Sequence, residues 1–575
     1  MSAGLLLIVA LLLSGPARAG HEGLTIGISQ YPSTLHPSID SMSAKSYVLG
    51  MTRRPFTAYD ANWQRICLLC TDLPSRDKGT AVDEPGGGMA VTYTIRPGAV
   101  WGDGVPITTR DVLFTLQVGR NPLSGFDSQD FFTRDIKEIT AKDDRTFIVH
   151  RARRTCDYQG LEGFDLLPEH LEKPVFEADA ASYPNRTLYR TAPANPGLYF
   201  GPYRITAVDT GSRIDLEVNP KWWGVPPPFK TITVRAVENS AALEAGLLAG
   251  DIDLVPGEIG LPLDQVLSLG KRQPGRFDIL TKAGLFFEHI DINLDNRVFA
   301  DVRVRRALLQ AIDRQAISRQ LFSGRQPVAD NIVSPLDHMF DAEAPKYRFD
   351  LAAANRQLDE LGWTRGAGGI RTNAAGEKLA FSLASTAGNR SRELVEQVLQ
   401  AQWRQVGAEV RIENQPARVL FGQSLRERGF TGLALFAWAS APANIPRSVL
   451  HSSMIPAAGN GFSGENYPGL RDAEVDRTLD DLEVVCEPKA NRALWSRLQR
   501  LYAEQLPSLP LYYRAEVTVK PKWLRGIVPT GHSEPTTLWI ENWKVGAPPP
   551  RPPRRTQGTA SDGEAADDSE QLPQE

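Results

Sequence analysis

Residues 91–112 read VTYTIRPGAVWGDGVPITTRDV, and this stretch decides the fold. Val91, Tyr93 and Ile95 alternate with polar residues, the period of a half-buried strand. Pro97-Gly98 marks a turn, and Gly102-Asp103-Gly104 after Trp101 marks a second. Thr109-Arg110-Asp111 opens a helix through Val112, Leu113 and Leu116, with Thr109 as the expected cap and Asp111 near the positive helix end. Strand, aromatic corner, glycine turn and capped helix describe a folding unit rather than a reactive centre. Trp101 and Asp103 are therefore expected to be structural.

Outward from this stretch the punctuation is regular. Leu24–Ser29 alternates as a strand and runs into Thr34-Leu35-His36-Pro37. Asp83–Gly88 carries three glycines and reads as a hairpin loop. Arg145–His150 is a further strand. Downstream come Gly201-Pro202-Tyr203-Arg204-Ile205, Asn219-Pro220-Lys221-Trp222-Trp223-Gly224, Leu248-Ala249-Gly250-Asp251-Ile252-Asp253 and Phe299-Ala300-Asp301-Val302-Arg303-Val304-Arg305-Arg306-Ala307. Ala311–Arg314 is read as completing the last of these as one helix. Asp350–Trp363 is an amphipathic helix closed by Gly362. Val475–Leu506 forms two helical segments before Pro507-Ser508-Leu509-Pro510-Leu511-Tyr512. Trp222 and Trp223 read as packing beneath a turn.

The string at 91–112 resembles TYTFxLRxGVKWxDGxPFTAxDV, the signature of family 5 extracellular solute-binding proteins, the peptide and nickel class of bacterial ABC importers. The other segments resemble that family's GTGPYRL, NPxYWG, LxxGEvD, PFxDvrVRqA and xPxiPLY motifs, in the same order. The resemblance runs from Leu24 to about Trp543. It implies an α/β, bilobal periplasmic-binding-protein fold (type II, large peptide-binding class) with an extra inserted domain. Lobe I would be discontinuous, over 20–60, 188–285 and 510–545. The insertion carrying the signature would span 61–187, and lobe III 286–509. Two lobes joined by hinge strands would close around a solute.

Composition agrees with a soluble globular protein. The 575 residues carry a formal net charge of −4, and the pI is about 6.2, which offers no basic footprint for nucleic acid. An apolar run from Leu5 to Leu13, broken by Ser14-Gly15-Pro16 and followed by Ala17-Arg18-Ala19, reads as a signal peptide over 1–19, cleaved near Ala19. That places the mature chain in the periplasm, and the resemblance implies a monomer with a membrane permease as partner. From 546 to 575 the chain is proline-rich and then acidic, a composition that does not support folding. Four cysteines, Cys67, Cys70, Cys156 and Cys486, permit disulfides in an exported chain. The Cys67/Cys70 pair reads as buried thiols or a structural disulfide, while Cys156 and Cys486 stand alone in sequence.

No GxSxG, HExxH or GxxxxGK[ST] motif is present, and the eight histidines form no close pair at metal-ligand spacing. No metal, cofactor or catalytic residue is expected; a secreted hydrolase is the weaker alternative. The expected binding segment is Leu433–Pro446, LALFAWASAPANIP, a buried strand that opens into a loop with two prolines. By resemblance, residues around its Trp reach ligand. Trp438, Phe436, Ser440 and Asn444 are the candidates there, with Tyr31 and His36 added by position. In peptide-binding relatives an Asp three residues after this Trp pairs the ligand ammonium, and in some an Arg three before it pairs the carboxylate. This chain has Ala441 and Leu435. A buried ligand charge then needs another partner. A peptide or peptide-like solute is the expected ligand. A metal chelate, heme, a sugar or an opine-like conjugate are alternatives, as is a sensor role.

Overall fold

In the computed structural model, which describes residues 22–546, the 91–112 stretch builds the corner of an antiparallel sheet. Met89–Thr94 pairs with Ala81–Asp83 on one side and with Thr146–Arg151 on the other; Ile136–Ala141 completes the sheet. Met89, Val91 and Tyr93 face inward in alternation with partly exposed neighbours. Trp101 is fully buried, edge-on to Phe200 at 4.8 Å. Asp103 accepts from His170 Nε2 at 2.8 Å and from the Val105 amide at 3.1 Å. The helix spans Thr109–Gly119, but its cap is Thr108, one residue earlier than expected. Thr108 and Asp111 form a reciprocal capping box. Thr109 instead ties the helix to the neighbouring turn through the Asp143 carbonyl at 3.0 Å.

Gly102 is needed in this corner because two backbones meet there. Its amide donates to the Tyr199 carbonyl at 2.6 Å. An added Cβ would lie 2.4 Å from the Pro196 carbonyl oxygen and 3.0 Å from that of Tyr199. Neither can swing away as a side chain would. Gly102→Ala is expected to cost about 1–3 kcal/mol by overpacking, read as a lower denaturant midpoint at unchanged m-value. An unaltered midpoint would show that the corner yields freely.

A second sheet has Gly23–Ile28 parallel to Thr231–Ala236, followed by Arg213–Val218 and Tyr203–Asp209 in antiparallel order. One apolar core fills the space between these two sheets and takes in Trp523, Leu524, Ile540 and Trp543 from the end of the chain. This core is unbroken across residues 60/61 and 187/188. Phe56 lies 5.3 Å from Phe147 and 6.3 Å from Tyr93.

The third sheet orders Glu409–Ile412, Ala380–Ala384, Leu433–Ala439, Phe277–Ile292 and Ser508–Pro521. The helix Arg390–Gln405 is the crossover between the two parallel strands at its edge. Near it, the helix Val302–Gln310 ends four residues before Arg314; Asp313 caps a separate helix, Arg314–Phe322, by accepting from Ala316 N at 2.8 Å. The single helix expected there is two, because a capping aspartate competes with helix continuation. The strands of 16 and 14 residues, Phe277–Ile292 and Ser508–Pro521, pair along most of their length and link the two bodies of the molecule. Their register shifts between Ala283 and Phe286, where Gly284 lies against the Gly531 backbone. The result is the bilobal α/β arrangement, with the central strand Leu433–Ala439 pointing into the cleft between bodies.

Both cysteine pairs are disulfides. Cys67–Cys70 bridges neighbours, whereas Cys156–Cys486 joins residues 330 apart in sequence and ties the first body to the second. Cys156 and Cys486, isolated in sequence, are brought together by the fold with their Cα atoms 5.1 Å apart, a pairing that no local spacing encodes. Among the described residues no helix is long and apolar enough to cross a membrane. The expected signal peptide, and the tail apart from Gly546, lie outside the described residues.

Candidate binding cleft between the two bodies

The strand Leu433–Ala439 is buried through Phe436 and then emerges, leaving Ala437, Trp438 and Ala439 partly exposed. Cross-strand pairing aligns Trp438 with Phe287 and Tyr513, and in the next row Ala439 with Phe286 and Arg514. Trp438 stacks on Tyr467 at 5.7 Å and meets Phe436 edge-on at 5.3 Å. Offset and edge-on contacts of this kind fix the indole in place. The chain then turns away. Ser440 N donates to Leu285 O at 3.0 Å, and Ser440 O receives Ser533 N from the other body at 2.9 Å. Ala443 adopts φ 51°, and its amide is held by Asp337 Oδ2 at 2.8 Å. Asp337 thus satisfies the strained turn that presents Asn444.

Beyond this strand lies a cavity of about 610 Å³. Its walls come from both bodies: Tyr59, Arg65 and Glu162 on one side; Ala441, Asn444 and Arg447 on the other. A side cavity of about 160 Å³ shares Ala439, Asn444 and Trp495 with it and is apolar toward Phe287, Val333 and Tyr513. Trp438 and Ala439 also line a further cavity of about 160 Å³ beside Glu258 and Arg514. The first side cavity, with aromatic and apolar walls and a few polar groups, has the usual composition of a small-molecule site, whereas the large cavity is lined by many charged side chains.

Trp438, Ser440 and Asn444 line these spaces, and so does Ala441. The other three candidates do not. Phe436 is fully buried beneath Trp438, against His289 and Phe421. His36 is fully buried as well, its Nε2 3.1 Å from the Tyr183 hydroxyl and its Nδ1 accepting from Ser38 N. Burial holds its pKa well below the usual histidine value, so it is a neutral core residue. Tyr31 is buried with its hydroxyl turned to Thr210 and Gly211. Its neighbour Gln30 is the residue that reaches the cleft. Both residues lie in the loop that follows the strand Gly23–Ile28, so a motif position there fixes the path of the backbone but not which side chain reaches the cleft. Leu435 is core, part of the buried face of the same strand.

Sequence reasoning missed the charged groups in the cleft. Arg65 donates through Nε to Glu162 Oε1 at 2.7 Å and through Nη2 to Tyr59 at 2.8 Å and Asp157 Oδ2 at 2.8 Å. At the rim Arg134 grips Glu483 with two bonds of 2.7 and 2.9 Å, Arg153 adds a third at 2.6 Å, and Cys156 N donates to Glu483 O at 2.8 Å. Arg447 reaches back to Asp130 at 2.8 Å. The Arg65 network lies within the first body, whereas the contacts of Glu483, the Arg447–Asp130 pair and the Cys156–Cys486 disulfide join the first body to the second at one edge of the large cavity. No stretch of sequence signals the contacts between the bodies, because each pairs residues far apart along the chain. Among the described residues no group of His, Cys, Asp and Glu is arranged to hold a metal ion.

Glu534 lines the large cavity, and burial, reinforced by Glu162, pushes its carboxyl up to about 8. The folded pKa therefore lies above the ordinary value of 4.5, and the protonated form is favoured by folding. Its contribution to stability is present at low pH and is lost as pH rises through about 8. Comparing wild type with Glu534→Gln across pH 5–9 is expected to give a stability difference that changes by roughly 1 kcal/mol or more in the variant's favour as pH rises. Parallel pH profiles would refute it.

Likenesses to known proteins bear on this geometry. The family model described as bacterial extracellular solute-binding proteins, family 5 middle, matches residues 80–453. The oligopeptide-binding protein AppA of Bacillus subtilis (strain 168) is 26% identical over 469 residues, 80% of this chain and 82% of that protein. The oligopeptide-binding protein of Thermus thermophilus, crystallised with a pentapeptide, superimposes with a TM-score of 0.84 at 29% identity, over 91% of this chain and 96% of that one. NikZ of Campylobacter jejuni, crystallised with Ni(L-His), shares the fold with a TM-score of 0.78 at 20% identity, over 91% and 99% of the two chains.

Proposed function

The chain belongs to family 5 of the bacterial extracellular solute-binding proteins, and from that premise we propose that it captures a peptide or peptide-like solute between its two bodies for uptake by an ABC importer. The observation that carries this reading is the cavity of about 610 Å³ walled by both bodies, reached by Ala439 at the end of the central strand and sharing Ala439, Asn444 and Trp495 with an apolar side cavity. Its volume falls within the ~300–1,000 Å³ usual for ligand sites. The names of the Bacillus relative and of the pentapeptide-bound Thermus structure support a peptide. Trp438, Ser440 and Asn444 are the contact residues in this reading. The protein acts in the periplasm as a monomer: it binds, closes about the paired long strands and docks on a permease, and the solute leaves chemically unchanged.

Native mass spectrometry of freshly purified protein tests the proposal. The expected result is a retained mass that fragments as a peptide and matches no product of turnover. A second reading, a non-peptide solute such as a chelate, sugar or opine-like conjugate, draws on Ala441. That residue faces the large cavity without a charge where peptide-binding relatives carry an Asp. A retained non-peptide mass would favour it, and conversion of added peptide would end both readings.

A further inference from the structure

Beside Trp438 two arginines, Arg392 and Arg514, share one carboxylate. Glu288 lies on the long strand Phe277–Ile292 and is almost fully buried. Arg392 already claims it, donating through Nε to Oε1 at 2.6 Å and through Nη2 to Oε2 at 3.3 Å, with a further bond to Thr386 at 3.0 Å. Arg514 shares the same carboxylate from 3.5 Å, and this is its only ion pair among the described residues. Burial alone would raise the Glu288 pKa, but the two guanidiniums together hold it below the ordinary value, so it is ionised.

The other nearby acids do not supply the missing charge. Glu258, in the same wall, is occupied by the amide and hydroxyl of Thr536 at 2.8 and 2.7 Å, and burial raises its pKa. Glu516, two residues along the strand from Arg514, is buried and raised well above the usual carboxylate range by desolvation and by Glu258. Lys282, opposite Glu516 in the ladder, is a further cation.

Arg514 is placed to use this surplus. It lies opposite Phe286 at the register shift of the long strands, in the row that includes Ala439. It lines both the cavity beside Trp438 and the smaller one of about 50 Å³ behind Glu288. Its side chain is 29% exposed. A guanidinium has five N–H donors, and one long ion pair leaves most of these without a protein acceptor. A half-buried cation in that state favours an anionic partner.

We propose that Arg514 is the specificity-determining anchor for a carboxylate of the bound solute. It takes the role that Leu435 cannot fill on the central strand. The inference rests on the solute-binding reading above and adds the chemistry of one end of the ligand. The carboxylate is either a peptide C-terminus or an acidic side chain, and the two sources are separable.

The test is calorimetric titration of wild type, Arg514→Gln and Arg514→Lys with three probes: a random pentapeptide mixture as free acids, the same mixture amidated at the C-terminus, and the amidated mixture with Glu and Asp replaced by Gln and Asn. Wild type is expected to bind the free acids at least tenfold more tightly than the amides if the C-terminus is held, or to lose at least tenfold between the second and third probes if a side chain is held. Arg514→Gln is expected to reduce that ratio to within about twofold, leaving affinity for the uncharged probe unchanged; Arg514→Lys should keep part of it. Glu288 keeps Arg392 in every variant, so unchanged melting curves are expected to verify the fold. A wild-type ratio near one for both comparisons, or a ratio preserved in Arg514→Gln, overturns the anchor while leaving peptide binding intact. No binding of any probe by folded wild type overturns the peptide reading itself, and the anchor with it.

Discussion

The Cys156→Ser/Cys486→Ser double variant is expected to lose about 2–5 kcal/mol of stability and to release bound ligand at least tenfold faster. The first effect follows from loop size: the bond joins residues 330 apart, so its removal frees a very long segment of the unfolded chain. The second follows from position. Cys156 lines the large cavity, and its partner lies on the opposite body. A disulfide limits Cα separation to about 7 Å, so the two bodies cannot part at this edge while the bond holds. The neighbouring bonds from Arg134, Arg153 and Arg447 would still favour the closed arrangement, but each is reversible. Cys486 is exposed, so a thiol reductant can reach the bond and should reproduce the variant's kinetics in wild type. The Cys67→Ser/Cys70→Ser variant is the control, since its bond spans three residues and stays within one body. Denaturant unfolding and stopped-flow displacement of a fluorescent peptide give the two readouts. Identical release rates with and without the bond would show that the cleft opens elsewhere.

Trp438→Ala is expected to weaken solute binding more than tenfold, at least ~1.4 kcal/mol. The indole borders two of the cavities and is held by Tyr467 and Phe436, so its loss removes both contact area and the rigid wall. Truncating a packed Trp also costs stability, on the order of 3–5 kcal/mol. Trp438→Phe therefore serves as the companion, since it keeps an aromatic ring over Tyr467 and should bind with intermediate affinity. Calorimetry with circular dichroism on the same samples separates the two effects. Wild-type affinity in a folded Trp438→Ala protein would remove this residue from the site.

Much of the fold was legible because its signals are local. The alternation at 89–94, the glycine turns and the capped helix at 109–119 each depend on neighbours within a few residues. The strand Leu433–Ala439 announced itself by an apolar run, and three of the residues expected around it reach the cavities. Phe436 failed because the strand is buried up to that residue and emerges only from Ala437 on, so Trp438, two residues further along the same face, covers it. Tyr31 and His36 failed for a related reason: a motif fixes where the backbone passes, while the direction of each side chain depends on what packs over it. The charged elements of the cleft were invisible for a different cause. Arg514 finds Glu288 and Cys156 finds Cys486 only after the long strands have paired and the bodies have come together. One signal was available. An arginine after Leu511-Tyr512-Tyr513 in a strand otherwise apolar at that end is a charge that folding must either pair or use.

The unbroken apolar core through Phe56, Phe147, Trp101 and Phe200 has a consequence for how such a chain can be divided. Excised at 61 and 187, the signature-bearing segment would carry away half of each of these aromatic pairs and leave a greasy wound on both fragments. It is no interchangeable cassette. Any recombination that grafted it onto another scaffold would have to carry Phe56 and Phe200 along, or replace them with surfaces of the same shape.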